Sequence, residues 1–236
     1  MITLTKYSKQ YGSLKALSEI NLNIPSGSLT FLVGPNASGK TTLIKSLLGL
    51  VKSTSGEIIV NGITLNGNYD YRKDIGYVSQ IANFPDNLTV DEIFRMVKDL
   101  RNKQNNYDEE LITSFQLESS FNKRLKTLSG GSRQKVNVAV AFLFDPKIII
   151  LDEPTAGLDP VASSLLKDKI LKENKKGKTI IFTSHILSEM EELAQNVVFL
   201  LEGKIYFNGT IKELINSTDQ RNLERAVASI MNGAEK

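Results

Sequence analysis

Nine residues, GPNASGKTT at Gly34, Pro35, Asn36, Ala37, Ser38, Gly39, Lys40, Thr41 and Thr42, have the spacing G-x-x-x-x-G-K-T. Glycines at those positions let successive backbone N–H groups wrap an anion. The Lys40 ammonium reaches the β- and γ-phosphates of a nucleoside triphosphate, and the Thr41 hydroxyl is a ligand for Mg²⁺. The plainer reading is a glycine turn that caps a helix. A second cluster, IIILDEP at Ile148–Pro154, delivers two acids to the end of an apolar run. Ligands of open α/β sheets bind at the carboxyl ends of strands. There Asp152 suits a Mg²⁺ shell, and Glu153 is a candidate to orient or deprotonate an attacking water. The alternative is a solvated Asp-Glu pair in a turn. A third stretch, LSGGSRQK from Leu128 to Lys135, places Ser129, Gly130 and Gly131 before a helical pattern, the makings of an anion site at a helix N-terminus.

The elements that must position these groups follow from local patterning. ITLTKYSK and LSEINLNI alternate as strands, and Pro25-Ser26-Gly27 punctuates them. SLTFLV is a short buried strand that ends at Gly34, and TTLIKSLLGL switches to helical spacing. SGEIIVNG is a further strand. From Asp86 to Ser129 the chain changes character. LTVDEIFRMVKDLR and DEELITSFQL read as amphipathic helices joined by the Asn-rich loop NKQNNY, and SGGSRQKVNVAVAFLF as a long apolar helix. KIIILDEP and KTIIFTSH are continuous apolar runs, the mark of central parallel strands. VVFLLEGKIYFNG reads as a hairpin around Glu202-Gly203. The expected fold is α/β: a triphosphate-binding core with a mostly parallel sheet and an inserted helical subdomain at about 81–145. The 236 residues are read as one domain, 1–236, with a short helical tail at about 210–236 that ends loosely.

Bulk properties narrow the classes. A balance of 29 basic and 26 acidic residues, net +3, is too even to imply nucleic acid. The charged run DKILKENKKGK from Asp168 to Lys178 is interrupted by acids and has no interleaved aromatics, so it reads as a solvated helix end. With no cysteine, thiolate metal sites and disulfides are excluded, which suits a reducing compartment. MITLTKYSKQYG lacks the apolar stretch of a signal peptide, and no apolar run reaches the ~18–20 residues of a membrane span. Any membrane work therefore needs another chain.

Taken in order, the motifs resemble those of the ATP-binding cassette family, the nucleotide-binding subunits of ABC transporters. The phosphate loop comes first, then Gln80 in GYVSQ, LSGGSRQ, Ile148–Glu153, GLDP containing Asp159, and His185 in TSH. The resemblance runs from about Tyr7 to Gly209 and implies an N-terminal antiparallel β subdomain. Ala37 stands where the family usually has glycine, and alanine fits if its φ is negative there.

The resemblance also implies roles. Tyr11 would stack on adenine, Gln80 would touch Mg²⁺ or the attacking water, and His185 would contact the γ-phosphate. Ser129, Gly130, Gly131 and Asp159 would serve ATP across a head-to-tail dimer with a second copy or a homologous cassette. The cofactors implied are ATP and Mg²⁺. The partners implied are transmembrane permease subunits at the cytoplasmic face of the cell membrane, with no nucleic acid. The segment after Gln80 would help form the groove for such a partner, and its apolar Ile81, Phe84, Leu88 and Ile93 fit that groove and the helical lobe's own core equally well. Its wording also resembles two groups within the family: cassettes linked to nitrous-oxide reductase maturation and copper-site assembly, and general multidrug- or export-type cassettes. Two other readings remain. One is a soluble cassette ATPase acting on ribosomes or DNA, against which stand a single cassette and the lack of a long heptad tract. The other is a small-molecule kinase, against which LSGGSRQ and the Asp-Glu pair count.

Overall fold

The computed structural model describes residues 1–101 and 107–233. The expected Asn-rich loop, except Tyr107, and the last residues of the tail lie outside them. The described chain divides into two compact units, Met1–Arg72 with Thr179–Lys236, and Lys73–Lys178.

The first unit opens with β1 (Ile2–Tyr11) and β2 (Leu14–Ile24), an antiparallel pair. Ile2 and Leu4 face inward, and a shift of register after Leu4 restarts the alternation so that Tyr7 is buried too. β3 (Leu29–Val33) is buried along its whole length, as its unbroken apolar sequence requires. It leads through the phosphate loop into α1 (Lys40–Leu47). β4 (Ser55–Val60) and β5 (Ile63–Thr64) complete an antiparallel sheet of order β2-β1-β4-β5. This is the antiparallel subdomain that the family resemblance implied.

The second unit starts with β6 (Ile75–Val78) and continues into α2 (Val90–Arg101). Thr89 and Glu92 exchange side chain-to-backbone hydrogen bonds of 3.2 and 2.7 Å at the start of α2, the reciprocal cap of a T-x-x-E sequence. α3 (Glu110–Ser114) is shorter than DEELITSFQL led us to expect. Gln116 adopts φ +54, which breaks the helix before a 3-10 turn at Leu117–Ser120. Of the apolar residues after Gln80, Ile93 is fully buried and Ile81 is 77% exposed, which divides a set the sequence left undivided. α4 (Gly130–Phe142), β7 (Ile148–Asp152) and α5 (Pro160–Lys175) follow, with β6 and β7 parallel.

The chain then returns to the first unit with β8 (Thr179–Thr183), α6 (Leu187–Leu193), β9 (Asn196–Leu201) and β10 (Lys204–Gly209). β8, β3 and β9 are parallel neighbours, and β10 is the antiparallel arm of the expected hairpin. Phe31 and Phe182 stack at 4.6 Å between ring centroids. α7 (Ile211–Ser217) starts at a Thr210–Glu213 capping box, and α8 (Leu223–Gly233) buries Leu223, Ala226 and Ile230.

One expectation is overturned. The charged run at the end of α5 is not simply solvated: Lys169, Glu173 and Lys178 are buried. Lys169 Nζ lies 2.6 Å from Asp108, 2.7 Å from Glu110 and 3.0 Å from Glu173. Lys176 lies 2.7 Å from Glu173, and Lys178 pairs with both Glu173 and Asp145. Carboxylate oxygens of Asp108, Asp145 and Glu173 lie within 4.8 Å of one another, and the interleaved ammonium groups make that tolerable. The partner acids come from distant parts of the sequence, which is why a local reading of the run missed its burial. Burial alone would raise the Glu173 carboxyl, but hydrogen bonds from Lys176, Lys178 and Lys169 outweigh it and hold the group down at about 2.

Breaking such a network leaves an unpaired buried charge. Lys169→Ala is expected to lower stability at neutral pH by about 3–5 kcal/mol in urea unfolding. Because the folded pKa of Glu173 is depressed, its contribution is present above the ordinary carboxylate value of 4.5 and is lost as pH falls toward about 2. The deficit of the variant should therefore narrow across that window. A deficit independent of pH would contradict this account.

Candidate functional site

The phosphate loop is shaped by close backbone contacts. A Cβ on Gly34 would lie 2.0 Å from the Leu200 carbonyl oxygen of β9, so only glycine fits there. On the other side the Gly203 N–H, in the β9–β10 turn, donates to the Ser38 carbonyl at 2.9 Å. The Ser18 N–H of β2 donates in turn to the Gly203 carbonyl at 2.8 Å. The loop is thus clamped by a hairpin that is itself tied to the antiparallel sheet. Gly203 and Leu200 are site-shaping residues that the motif did not disclose, since they lie some 160 positions further along the chain.

The loop ends at the N-terminus of α1, whose first turn holds no acid and begins with Lys40. A helix N-terminus with an ammonium group and no carboxylate is an anion site by charge alone. Lys40 Nζ donates to the Gly34 and Pro35 carbonyls at 2.7 and 2.9 Å, which lays the side chain back along the loop. The Ser38 hydroxyl is buried within the loop without a protein partner. Asn36, Ala37 and Thr41 are exposed, and Pro35, Gly39 and Thr42 half-buried. A glycine cradle, a lysine, an unspent buried hydroxyl and an exposed threonine hydroxyl together fit a triphosphate and its magnesium ion.

Ala37 departs from expectation. Its φ is +63, not negative. The cause is local. The Ser38 N–H donates to the Pro35 carbonyl at 3.2 Å, closing a four-residue turn with Ala37 third. A turn of the type II kind demands positive φ at that position.

Tyr11, the last residue of β1, is 46% exposed, and the Lys9 ammonium sits 4.7 Å from its ring centroid. His185 is exposed just beyond β8. Its predecessor Ser184 is pinned on two sides, accepting from the Ile186 N–H at 3.0 Å and donating to the buried Glu189 carboxylate at 2.5 Å. The loop Gly34–Thr42, Tyr11 and His185 thus all belong to the first unit.

The second unit carries the others. Asp152 ends β7 and is buried. Burial, with the negative charge of Asp152 adding to it, pushes the Tyr77 phenol up to about 12. Glu153 follows at φ +50, a left-handed turn out of the strand. Gln80 is exposed in the loop after β6. Ser129 is the N-cap of α4, accepting from the Ser132 N–H at 3.2 Å, and Gly130 and Gly131 form the first turn. Asp159 caps α5 by accepting from the Ala162 N–H at 2.9 Å and pairs with Lys135 at 2.6 Å. The Lys135 hydrogen bond first, then the Ala162 N–H, holds the Asp159 carboxyl below its usual range.

Residues 17–156 match the family model described as ABC transporter. The chain belongs to this family. It is 34% identical to the lantibiotic transport ATP-binding protein SrtF of Streptococcus pyogenes over 92% of this chain and 96% of that one. It is 33% identical to the lipopolysaccharide export system ATP-binding protein LptB of Haemophilus influenzae over 92% and 93% of the two chains. Among solved structures, an ATP-binding subunit of an ABC transporter superposes with TM-score 0.90 at 26% identity, covering 98% of this chain and 99% of that one. A dimeric cassette in a post-hydrolysis state bound to ADP and Pi superposes with TM-score 0.80 at 28% identity, covering 89% and 98%. The protein is an ATP-binding and ATP-hydrolysing subunit of an ABC transporter. Among the described residues no helix is long and apolar enough to cross a membrane.

In this cassette the left-handed Ala37 is a local source of strain. A non-glycine residue there costs about 1–2 kcal/mol, which glycine relieves while raising the entropy of the unfolded chain. Ala37→Gly is expected to stabilise the cassette by a net ~0.5–1 kcal/mol in urea unfolding. A loss of stability would refute the strain.

Proposed function

We propose that the cassette binds MgATP through the loop Gly34–Thr42 and works as one of a head-to-tail pair. The observation that carries this reading is the clamped loop opening on the acid-free N-terminus of α1. In this reading the loop amides and Lys40 hold the β- and γ-phosphates, and Tyr11 stacks on the base. Thr41, Asp152 and Gln80 hold the magnesium ion, which when bound neutralises charge on the phosphate oxygens. Glu153 accepts a proton from the attacking water, Gln80 helps orient that water, and His185 donates to the γ-phosphate. Ser129 and the amides of Gly130 and Gly131 cap the γ-phosphate of ATP held by the opposite subunit, with Asp159 beside that boundary.

Two features support the assignment to the opposite subunit. The Ser129–Gly131 turn is a second helix N-terminus with no acid in its first turn, and two-fold pairing turns one spare anion site per chain into two composite sites. Closure on ATP and parting after hydrolysis would drive separate transmembrane permease subunits from the cytoplasmic face of the membrane.

Three variants test the proposal. Glu153→Gln should retain ATP affinity within about 2-fold while turnover falls at least ~100-fold, with an ATP-bound dimer accumulating in size-exclusion chromatography. Near-normal turnover would remove Glu153 from the role of base. Ser129→Arg should leave nucleotide binding by dilute monomer intact and stop dimer formation. Loss of monomer binding would place both anion sites in service of one nucleotide. Lys40→Ala should abolish ATP binding, and undiminished affinity would dismiss the loop as the triphosphate site.

A further inference from the structure

Two buried amides of the second unit play no part in the roles above. Gln134 and Asn137 are 4% and 6% exposed on α4, three residues apart and so on one face of the helix. The Asn137 amide nitrogen donates to the Ser79 carbonyl at 2.9 Å and to Gln134 Oε1 at 3.2 Å. The Gln134 amide nitrogen donates to the Pro154 carbonyl at 3.0 Å. Backbone carbonyls only accept, so each amide must turn its nitrogen outward, and the two side chains then fit each other donor to acceptor. The orientation of both groups is fixed by the network, with no freedom to flip.

The two carbonyls are significant by their neighbours. Ser79 immediately precedes Gln80, and Pro154 immediately follows Glu153. Glu153 sits at φ +50, a conformation that persists only where surrounding contacts over-determine it. The Pro154 carbonyl is such a contact. α4 is also the helix that Ser129 caps. Its first turn meets the next part of the same turn region, since a Cβ on Gly131 would lie 2.4 Å from the Gly157 carbonyl oxygen.

Resting on the roles proposed above for Gln80 and Glu153, we propose that Gln134 and Asn137 are positioning residues. Their paired amides form one strut that sets the Gln80 loop and the Glu153 turn relative to each other. The strut belongs to the helix that carries the LSGG turn. A shift of α4 on engaging a second cassette therefore reaches both residues through hydrogen bonds to their adjacent carbonyls. Neither side chain is assigned contact with nucleotide.

The test is a mutant cycle on the full chain, with turnover, the KM for ATP and the melting temperature measured for each variant. Asn137→Leu keeps the branched outline of the side chain and removes both N–H groups; Gln134→Met keeps the unbranched length and removes the donor and acceptor of the other amide. Each is expected to lower kcat ~10-fold or more, because small misplacements of reacting groups are costly, with the KM for ATP unchanged within about 2-fold. If Asn137 acts through Gln80, adding Asn137→Leu to Gln80→Ala should lower kcat by less than about 2-fold beyond Gln80→Ala alone. Wild-type kcat in both single variants would overturn the proposal. So would independent, multiplicative losses in the double variant, or a kcat loss that disappears at a temperature where every variant is fully folded. Should Asn137→Leu not fold, Gln134→Met alone decides, since it removes the hydrogen bonds to the Pro154 carbonyl and from Asn137 while leaving the Asn137–Ser79 hydrogen bond in place. Gln80→Ala with wild-type turnover would instead refute the role of Gln80 beneath the proposal, and the strut would fall with it.

Discussion

A loop that binds a polyanion through its own amides faces a contradiction. Its N–H groups must stay unspent in helix or sheet, yet its path must not wander, since each disordered residue costs about 1–2 kcal/mol of entropy to fix on binding. In this cassette the contradiction is resolved from outside the loop. The Gly203 N–H holds the Ser38 carbonyl, the Leu200 carbonyl crowds Gly34, and Ser18 ties the Gly203 turn to β2. These clamps act on carbonyls and Cα atoms of the loop rather than on its N–H groups, of which that of Ser38 is held inside the loop by the Pro35 carbonyl. The antiparallel sheet and the β9–β10 hairpin can be understood as the scaffold this demands.

The second unit solves a related difficulty with different chemistry. Its loops after β6 and β7 carry exposed or half-buried polar residues that need definite positions, yet they lie beyond the last strand hydrogen bonds. Buried amides on α4 reach the adjacent carbonyls, and Asp159 is secured by a cap and an ion pair. Further from the site, the lysine–carboxylate network around Glu173 fixes the end of α5 against the segment that starts α3. Buried ion pairs of this kind add little net stability over apolar packing. What the geometry shows is that each ammonium group meets particular acids from distant parts of the chain.

How much of this the sequence disclosed depends on distance along the chain. The phosphate loop, the acids at the end of β7 and the LSGG turn are each contiguous in sequence, so their spacing carries both structure and chemistry. The strands that deliver them are unbroken apolar runs, readable for the same reason. Three things were hidden. Burial of Lys169 and Glu173 depends on Asp108, Glu110 and Asp145, which no local window includes. The positive φ of Ala37 depends on the turn that Pro35 and Ser38 close, and residue type alone argued for the opposite sign. Gln134 and Asn137 showed only as two amides three apart, among Ser132, Arg133 and Lys135 at the polar end of α4, a pattern whose partners become visible when the carbonyls of Ser79 and Pro154 are placed.

The two helix starts proposed to meet phosphate are built differently, and the difference bears on their use. The loop before α1 is clamped by three other segments and contains a buried hydroxyl with no protein partner. The turn before α4 is capped by its own Ser129, and a Cβ on Gly130 would meet nothing within 4 Å. An anion enclosed by the first is held by one chain alone. An open turn encloses nothing until another surface covers it, which suits a group that completes a neighbour's site. On this reading the two devices are not duplicates: one retains the nucleotide, and the other reports that a second cassette has arrived.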